Sequence, residues 1–195
     1  MNPVMFPRRH ALSLLAAATC LPVFAGSAIL PSALPGDSLY RLSPRLTDQE
    51  GRPFDLVSLR GGPVLVSMFY SSCEMVCPVL FETIAQTIKA LPPATQEHVR
   101  ILLVTFDPDR DTVAVLKDTA GRHGCDKRWT LARSSSADAR QIAAALGVQY
   151  RRLPNGEYNH STSILLLNAQ GQIVKRSGSL GAVDPELVAA LKQSA

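Results

Sequence analysis

The sequence predicts an α/β domain built on a central mixed sheet flanked by helices, and three observations carry that expectation. Residues 63–70 form a nearly continuous apolar run, the pattern of a strand buried on both faces. From Pro78, the apolar residues Val79, Leu80, Ile84, Ile88 and Leu91 recur at helical spacing. A second apolar run then occupies residues 99–106. Strand, helix and strand in this order predict a right-handed crossover, with a ligand-binding edge where the strands end.

The remaining elements follow in chain order. Arg8 and Arg9 make a basic start, residues 11–18 are apolar, and Val23-Phe-Ala25 or Gly26-Ser-Ala28 offers small residues for cleavage, so residues 1–28 read as an export signal. A retained membrane anchor is the alternative, because the apolar character of residues 11–34 approaches the roughly 20 residues a span needs. Arg8-Arg9 resembles a twin-arginine signal, but His10 and Ala11 follow it, and the export route stays open. Cys20 follows Thr19, which disfavours lipidation. Pro31, Pro35 and Gly36 mark residues 29–39 as a linker, and residues 40–195 are expected to form a single domain. Residues 46–56 predict a hairpin around Glu50-Gly51. After the first long helix, Pro92-Pro93 is a stop signal. Asp111 or Thr112 is placed to cap a helix reaching about Arg122, residues 129–132 predict a short strand, and Ser136 or Asp138 begins a helix ending at Gly147. Residues 163–168 and 172–176 flank an Ala169-Gln-Gly171 turn, the pattern of an antiparallel hairpin. Pro185 at a first helical position opens a last helix.

The apolar fraction of 46% and charged fraction of 18% are globular values. Cleaving residues 1–28 removes Arg8 and Arg9 and no acid, taking the net charge from +4 to +2, which argues against dedicated nucleic-acid binding. Cleavage also removes Cys20, leaving Cys73, Cys77 and Cys125, too few thiols for a disulfide framework.

Chemistry concentrates where the first buried strand meets its helix, at Cys73-Glu-Met-Val-Cys77-Pro78. Backbone N–H groups and the positive end of the helix dipole favour thiolate there. In one helical turn the two Cα atoms would lie about 6 Å apart, within reach of a disulfide. Three intervening residues also widen the bite enough for a metal. His160, in Tyr158-Asn-His160-Ser-Thr-Ser163, precedes another buried strand, and a thioredoxin-like arrangement sets that strand beside the one bearing the cysteines. Two thiolates and an imidazole suit copper, above all Cu(I); zinc also accepts these donors, but a structural zinc site wants a fourth protein ligand and no further Cys or His lies nearby in sequence. Asp107, Asp109, Arg110 and Asp111 are expected to form a turn, an ion pair and a helix cap. Met75 is expected to fill a hydrophobic gap. His123-Gly-Cys125 is read as a free, partly buried thiol, and Trp129 as core.

Three separated stretches resemble the Sco/SenC family of thioredoxin-like assembly factors for cytochrome c oxidase: Cys73-Glu-Met-Val-Cys77-Pro78, Asp107-Pro-Asp-Arg-Asp-Thr112 and His160-Ser-Thr162. The resemblance covers roughly residues 40–192. It implies copper as the bound ion, Cys73, Cys77 and His160 as its ligands, and the copper-binding subunit of cytochrome c oxidase as recipient, with other copper chaperones or thiol reductants as further partners. The expected location, periplasmic or otherwise extracytoplasmic, follows from the N-terminal segment, as an export signal or as a membrane anchor. Two departures stand out: Asn159 replaces an Asp common before the family histidine, and Leu131-Ala-Arg133 replaces Leu-Thr-Gly. The first removes a carboxylate that would orient the imidazole.

A rival reading is a thiol–disulfide oxidoreductase that uses Cys73 and Cys77 to reduce copper-ligand cysteines of a target. A peroxidase of the same fold is disfavoured because Phe69, Tyr70, Ser71 and Ser72 precede the first cysteine, where a Pro and a Thr would shape a peroxide pocket.

Overall fold

The computed structural model describes residue 1 and residues 33–194. The expected export signal, with Arg8, Arg9 and Cys20, and the first part of the expected linker lie outside the described residues. Among the described residues no helix is long and apolar enough to cross a membrane.

Two strands, β1 (Leu46–Asp48) and β2 (Pro53–Phe54), make the N-terminal hairpin. The first apolar run is β3 (Val64–Phe69), buried at every residue as expected of a central strand. Helix α1 (Val76–Lys89) follows, then a short α2 (Pro93–His98), and the second apolar run is β4 (Arg100–Thr105). Next come α3 (Val113–Arg122), β5 (Trp129–Arg133) and α4 (Ser136–Leu146). Two three-residue strands, β6 (Tyr150–Arg152) and β7 (Tyr158–His160), precede the hairpin β8 (Ile164–Leu167) and β9 (Ile173–Ser177), and α5 (Pro185–Ser194) closes the chain.

The main sheet runs β2-β1-β5-β4-β3-β8-β9. Strands β3, β4 and β5 are parallel, while β1 and β8 join their neighbours antiparallel, so the sheet is mixed and the architecture thioredoxin-like. Strands β6 and β7 pair only with each other, as a small sheet apart from the main one.

Helix α1 buries Leu80, Phe81, Ile84 and Ile88 against the sheet, each worth about 1.5–3 kcal/mol over exposure. Phe81 stacks on Trp129, which is core as expected, with ring centroids 5.7 Å apart. Thr112 caps α3 by accepting the Val115 N–H, and Gly147 ends α4 at φ +65°, where a residue without Cβ is favoured. Helix α4 begins at Ser136 as expected, with Ser135 capping it by accepting the Asp138 N–H. Pro92-Pro93 stops α1 as expected, yet Pro93 also opens α2, because its fixed φ suits a first helical turn.

The segment before the first hairpin is anchored on the β8–β9 turn. Ser38 donates to the Gln170 carbonyl at 2.5 Å, and the Leu39 N–H donates to the Gly171 carbonyl at 2.8 Å. Gly171 has φ +80°, and a Cβ there would lie 2.6 Å from the Tyr40 ring.

Candidate metal centre

The β3 strand ends at Phe69, and the chain turns through Tyr70-Ser-Ser before Cys73. Cys73 stands outside the helix, which begins at Val76, whereas Cys77 lies inside its first turn. The expectation of both thiols in one helical turn is therefore corrected, and their environments differ. The Cys77 N–H points at the Cys73 sulfur, 3.3 Å away. Burial pushes the Cys73 thiol up, but the N–H groups of Cys77, Met75 and Val76 and the Cys77 thiol outweigh it, leaving Cys73 below the ordinary cysteine value. Burial drives the Cys77 thiol well up, and the neighbouring Cys73 and Asp111 charges add to it. Thiolate stabilisation at the helix start thus reaches one cysteine of the pair. Both are free thiols.

His160 ends β7 rather than sitting in an open loop, and the β6–β7 hairpin sets it against the end of the parallel strands. Its ring packs on Tyr70 and Phe106, with centroids 5.8 and 5.1 Å away. Nδ1 lies 3.1 Å from the Thr162 hydroxyl and 3.3 Å from the Ser161 carbonyl. A carbonyl accepts only, so this contact favours the proton on Nδ1 and leaves the Nε2 lone pair for a metal. Cys73, Met75, Tyr70, Glu157, Tyr158 and His160 line one cavity of about 540 Å³. Cys77 lines a different cavity, with Cys73, Phe81 and His123. The structure therefore brings Cys73 and His160 to one opening and keeps Cys77 behind Cys73. Among the described residues no three His, Cys, Asp or Glu side chains stand close enough together to hold a metal ion.

The Asp107-Pro-Asp-Arg-Asp-Thr112 segment ties these parts together. Arg110 pairs with the buried Asp107, donates to the Gly156 carbonyl at 2.7 Å and lies 5.9 Å from the centre of the Tyr158 ring. One guanidinium thus bridges the end of β4 to the turn of the His160 hairpin. Asp111 reaches the other way: its carboxylate accepts the Ser71 N–H at 3.1 Å and the hydroxyls of Ser71 and Thr105, fixing the turn that leads to Cys73. The expected ion pair and Thr112 cap are present, with these two tethers in addition. Arg133, at the second departure from the family pattern, donates to the Pro108 carbonyl at 2.8 Å.

Tyr70 joins both halves of the site, since its hydroxyl donates to the Glu157 carboxylate at 2.7 Å. Burial, that hydrogen bond and the Cys73 sulfur all drive the phenol upward, so it remains a donor. Sequence reasoning passed over Tyr70, Glu157 and the hairpin itself, although Pro154-Asn-Gly156, a three-residue loop with Gly156 at φ +86°, is a recognisable hairpin connection. Met75 is the clearest correction: it fills no gap and is 80% exposed. Cys125 is partly buried, and burial followed by the Asp126 charge pushes its thiol up to about 12. His123 stacks on Phe81 at 4.0 Å.

A protein of Stutzerimonas stutzeri described as copper-binding is 32% identical over 123 residues, 59% of this chain and 59% of that relative, so the chain covers under two thirds of its length. The SCO1 protein homolog of Bacillus subtilis is 26% identical over 141 residues, 70% of this chain and 72% of the relative. The structure of Bradyrhizobium japonicum ScoI with copper bound superposes with a TM-score of 0.68 at 26% identity, covering 79% of this chain and 98% of that one. A family model described as SCO1/SenC matches residues 37–194, nearly the whole folded domain, and the chain belongs to that family.

Proposed function

We propose that this protein is an extracytoplasmic copper carrier that binds Cu(I) through Cys73, Cys77 and His160 and delivers it to the dinuclear copper centre of cytochrome c oxidase. The observation that carries this reading is the opening shared by Cys73 and His160, where a thiol drawn below its ordinary value faces an imidazole held through Nδ1. Two sulfurs and one imidazole are soft to intermediate donors that suit Cu(I). Copper is cargo here, so the chemistry is exchange of ligands with no change of oxidation state. Binding releases the thiol protons, Cys73 first, and draws Cys77 and the His160 hairpin toward the same ion. A relative described as copper-binding and a structural neighbour with copper bound support the choice of metal. The recipient rests on the family resemblance, and the location on the export pattern of residues 1–28.

A second reading, thiol–disulfide exchange on the cysteines of a target, is favoured by the asymmetry of the pair. The Cys73 thiolate attacks a target disulfide, and Cys77 resolves the mixed disulfide, leaving a Cys73–Cys77 disulfide and a target dithiol. Two electrons from a thiol reductant reset the pair. His160 separates the readings. Competitive Cu(I) titration of His160→Ala, with dithiol-exchange kinetics alongside, is expected to show a sharp loss of copper affinity in the carrier reading and unimpaired exchange in the other. Unchanged copper affinity overturns the three-ligand site.

A further inference from the structure

Met75 sits between the two cysteines with its side chain in solvent. Apart from the terminal Met1, no other large apolar residue among the described ones approaches its 80% exposure; Val174 follows at 49%. Apolar burial gives no reason for a methionine at this position. It lies two residues after Cys73, in the turn between that thiol and the helix that begins at Val76. Its side chain lines the cavity that Cys73 and His160 also line. Cys77, 4% exposed, does not line that opening. An ion arriving from solvent thus meets three donors: the Cys73 sulfur, the Met75 thioether and the His160 imidazole. A thioether is soft and neutral and has no proton to lose, so it captures Cu(I) without deprotonation and releases it readily. The neighbouring exposed carboxylate of Glu74 is a hard donor that does not compete for Cu(I).

We propose that Met75 is the entry ligand of this site: Cu(I) first lodges between Cys73, Met75 and His160, and the thioether then gives way to Cys77. In the second step the Met75 Sδ–copper bond breaks and a Cys77 Sγ–copper bond forms, the Cys77 proton passing to water. Copper stays Cu(I) throughout. On release the order reverses, and an incoming donor from the recipient meets copper at the exposed thioether position. This deepens the proposed copper-carrier function and rests on it.

The test uses the full, reduced chain, with Cu(I) supplied as its bicinchoninate complex and transfer followed by stopped-flow loss of that complex's colour. Met75→Leu, which keeps the side-chain size and removes the sulfur, is expected to slow loading by about tenfold or more, as when a tethered ligand at millimolar effective concentration is deleted. Its equilibrium Cu(I) affinity is expected to stay within about threefold of wild type, because Cys77 has displaced the thioether by then. In Cys77→Ser, where displacement is blocked, Cu(I) is expected to shift the Met75 ε-methyl resonance of methyl-labelled protein. Wild-type loading kinetics in Met75→Leu, or an unshifted methyl, overturns the entry role. A fall in equilibrium affinity instead makes Met75 a resident ligand and also overturns it. Wild-type protein that takes up no Cu(I) overturns the proposed function together with this inference, so the two failures are distinguishable.

Discussion

Replacing Arg110 with methionine keeps the aliphatic stem and removes the guanidinium that ties the His160 hairpin to the end of β4. Three contacts go at once: the pair with Asp107, the 2.7 Å bond to the Gly156 carbonyl and the approach to the Tyr158 ring. Charge-assisted hydrogen bonds contribute more than neutral ones, but the Arg110 side chain is 36% exposed, so the tether contributes about 2 kcal/mol after solvent screening. Loss of that amount lowers the ratio of docked to undocked hairpin by about thirtyfold. His160 is presented to the cavity only when the hairpin is docked, and apparent affinity falls with the competent fraction. The expected result is a Cu(I) affinity about five- to thirtyfold weaker, measured by competition against a chelator, with Tm lowered by no more than about 8 °C. An Arg110→Met protein whose Cu(I) dissociation constant stays within about twofold of wild type, on a melt that shows the tether was lost, refutes the coupling between hairpin and metal site.

Two further predictions concern the thiols and the fold. Cys73 is held below the ordinary cysteine range and Cys77 well above it, so at any pH below that range a larger fraction of Cys73 is thiolate than for a free cysteine. Iodoacetamide with peptide mapping is expected to modify Cys73 first, with its rate midpoint displaced to lower pH; equal labelling of both thiols contradicts the assigned asymmetry. Gly171→Ala places a Cβ at φ +80° and 2.6 Å from the Tyr40 ring, costing about 1–2 kcal/mol for the left-handed backbone and about 1–3 kcal/mol for overpacking. Thermal melts are expected to show Tm lower by about 4–20 °C, and an unchanged Tm contradicts the close packing of the N-terminal segment on the β8–β9 turn.

The order of the main elements was legible because it rests on strong periodic signals. The run at 64–69 is apolar but for Ser67 and buried throughout, and the helical spacing from Leu80 to Ile88 is the buried face of α1, whereas Val79 is exposed. The ends of helices α3 and α5 were readable from Thr112 and Pro185. Three short elements escaped for physical reasons. Helix α2 buries no residue, so it leaves no apolar pattern to read. Strands β6 and β7 are three residues each, rich in Arg and Tyr and only partly buried, and they show no apolar alternation.

Within the site, the identity of the three donor residues came from motifs, whereas their inequality came only from three dimensions. Both thiols are buried, but a helix that starts three residues after Cys73 leaves that thiol on the cavity shared with His160 and holds Cys77 inside the first turn. Met75 was misread because an apolar residue in a cysteine loop suggests packing, and only the cavity shows it facing outward. Asp111 and Arg110 were recognised as turn and cap residues, but their reach to Ser71 and Gly156 depends on distant segments that local sequence cannot bring together.

The central claim is that Cys73, Cys77 and His160 bind one copper ion. Copper K-edge absorption on reduced protein loaded with a single equivalent of Cu(I), recorded for wild type and His160→Ala, tests it most directly. Two sulfur scatterers with one imidazole in wild type, and loss of the imidazole signature in the variant, are predicted. A wild-type shell without imidazole, or a variant that retains it, contradicts the account.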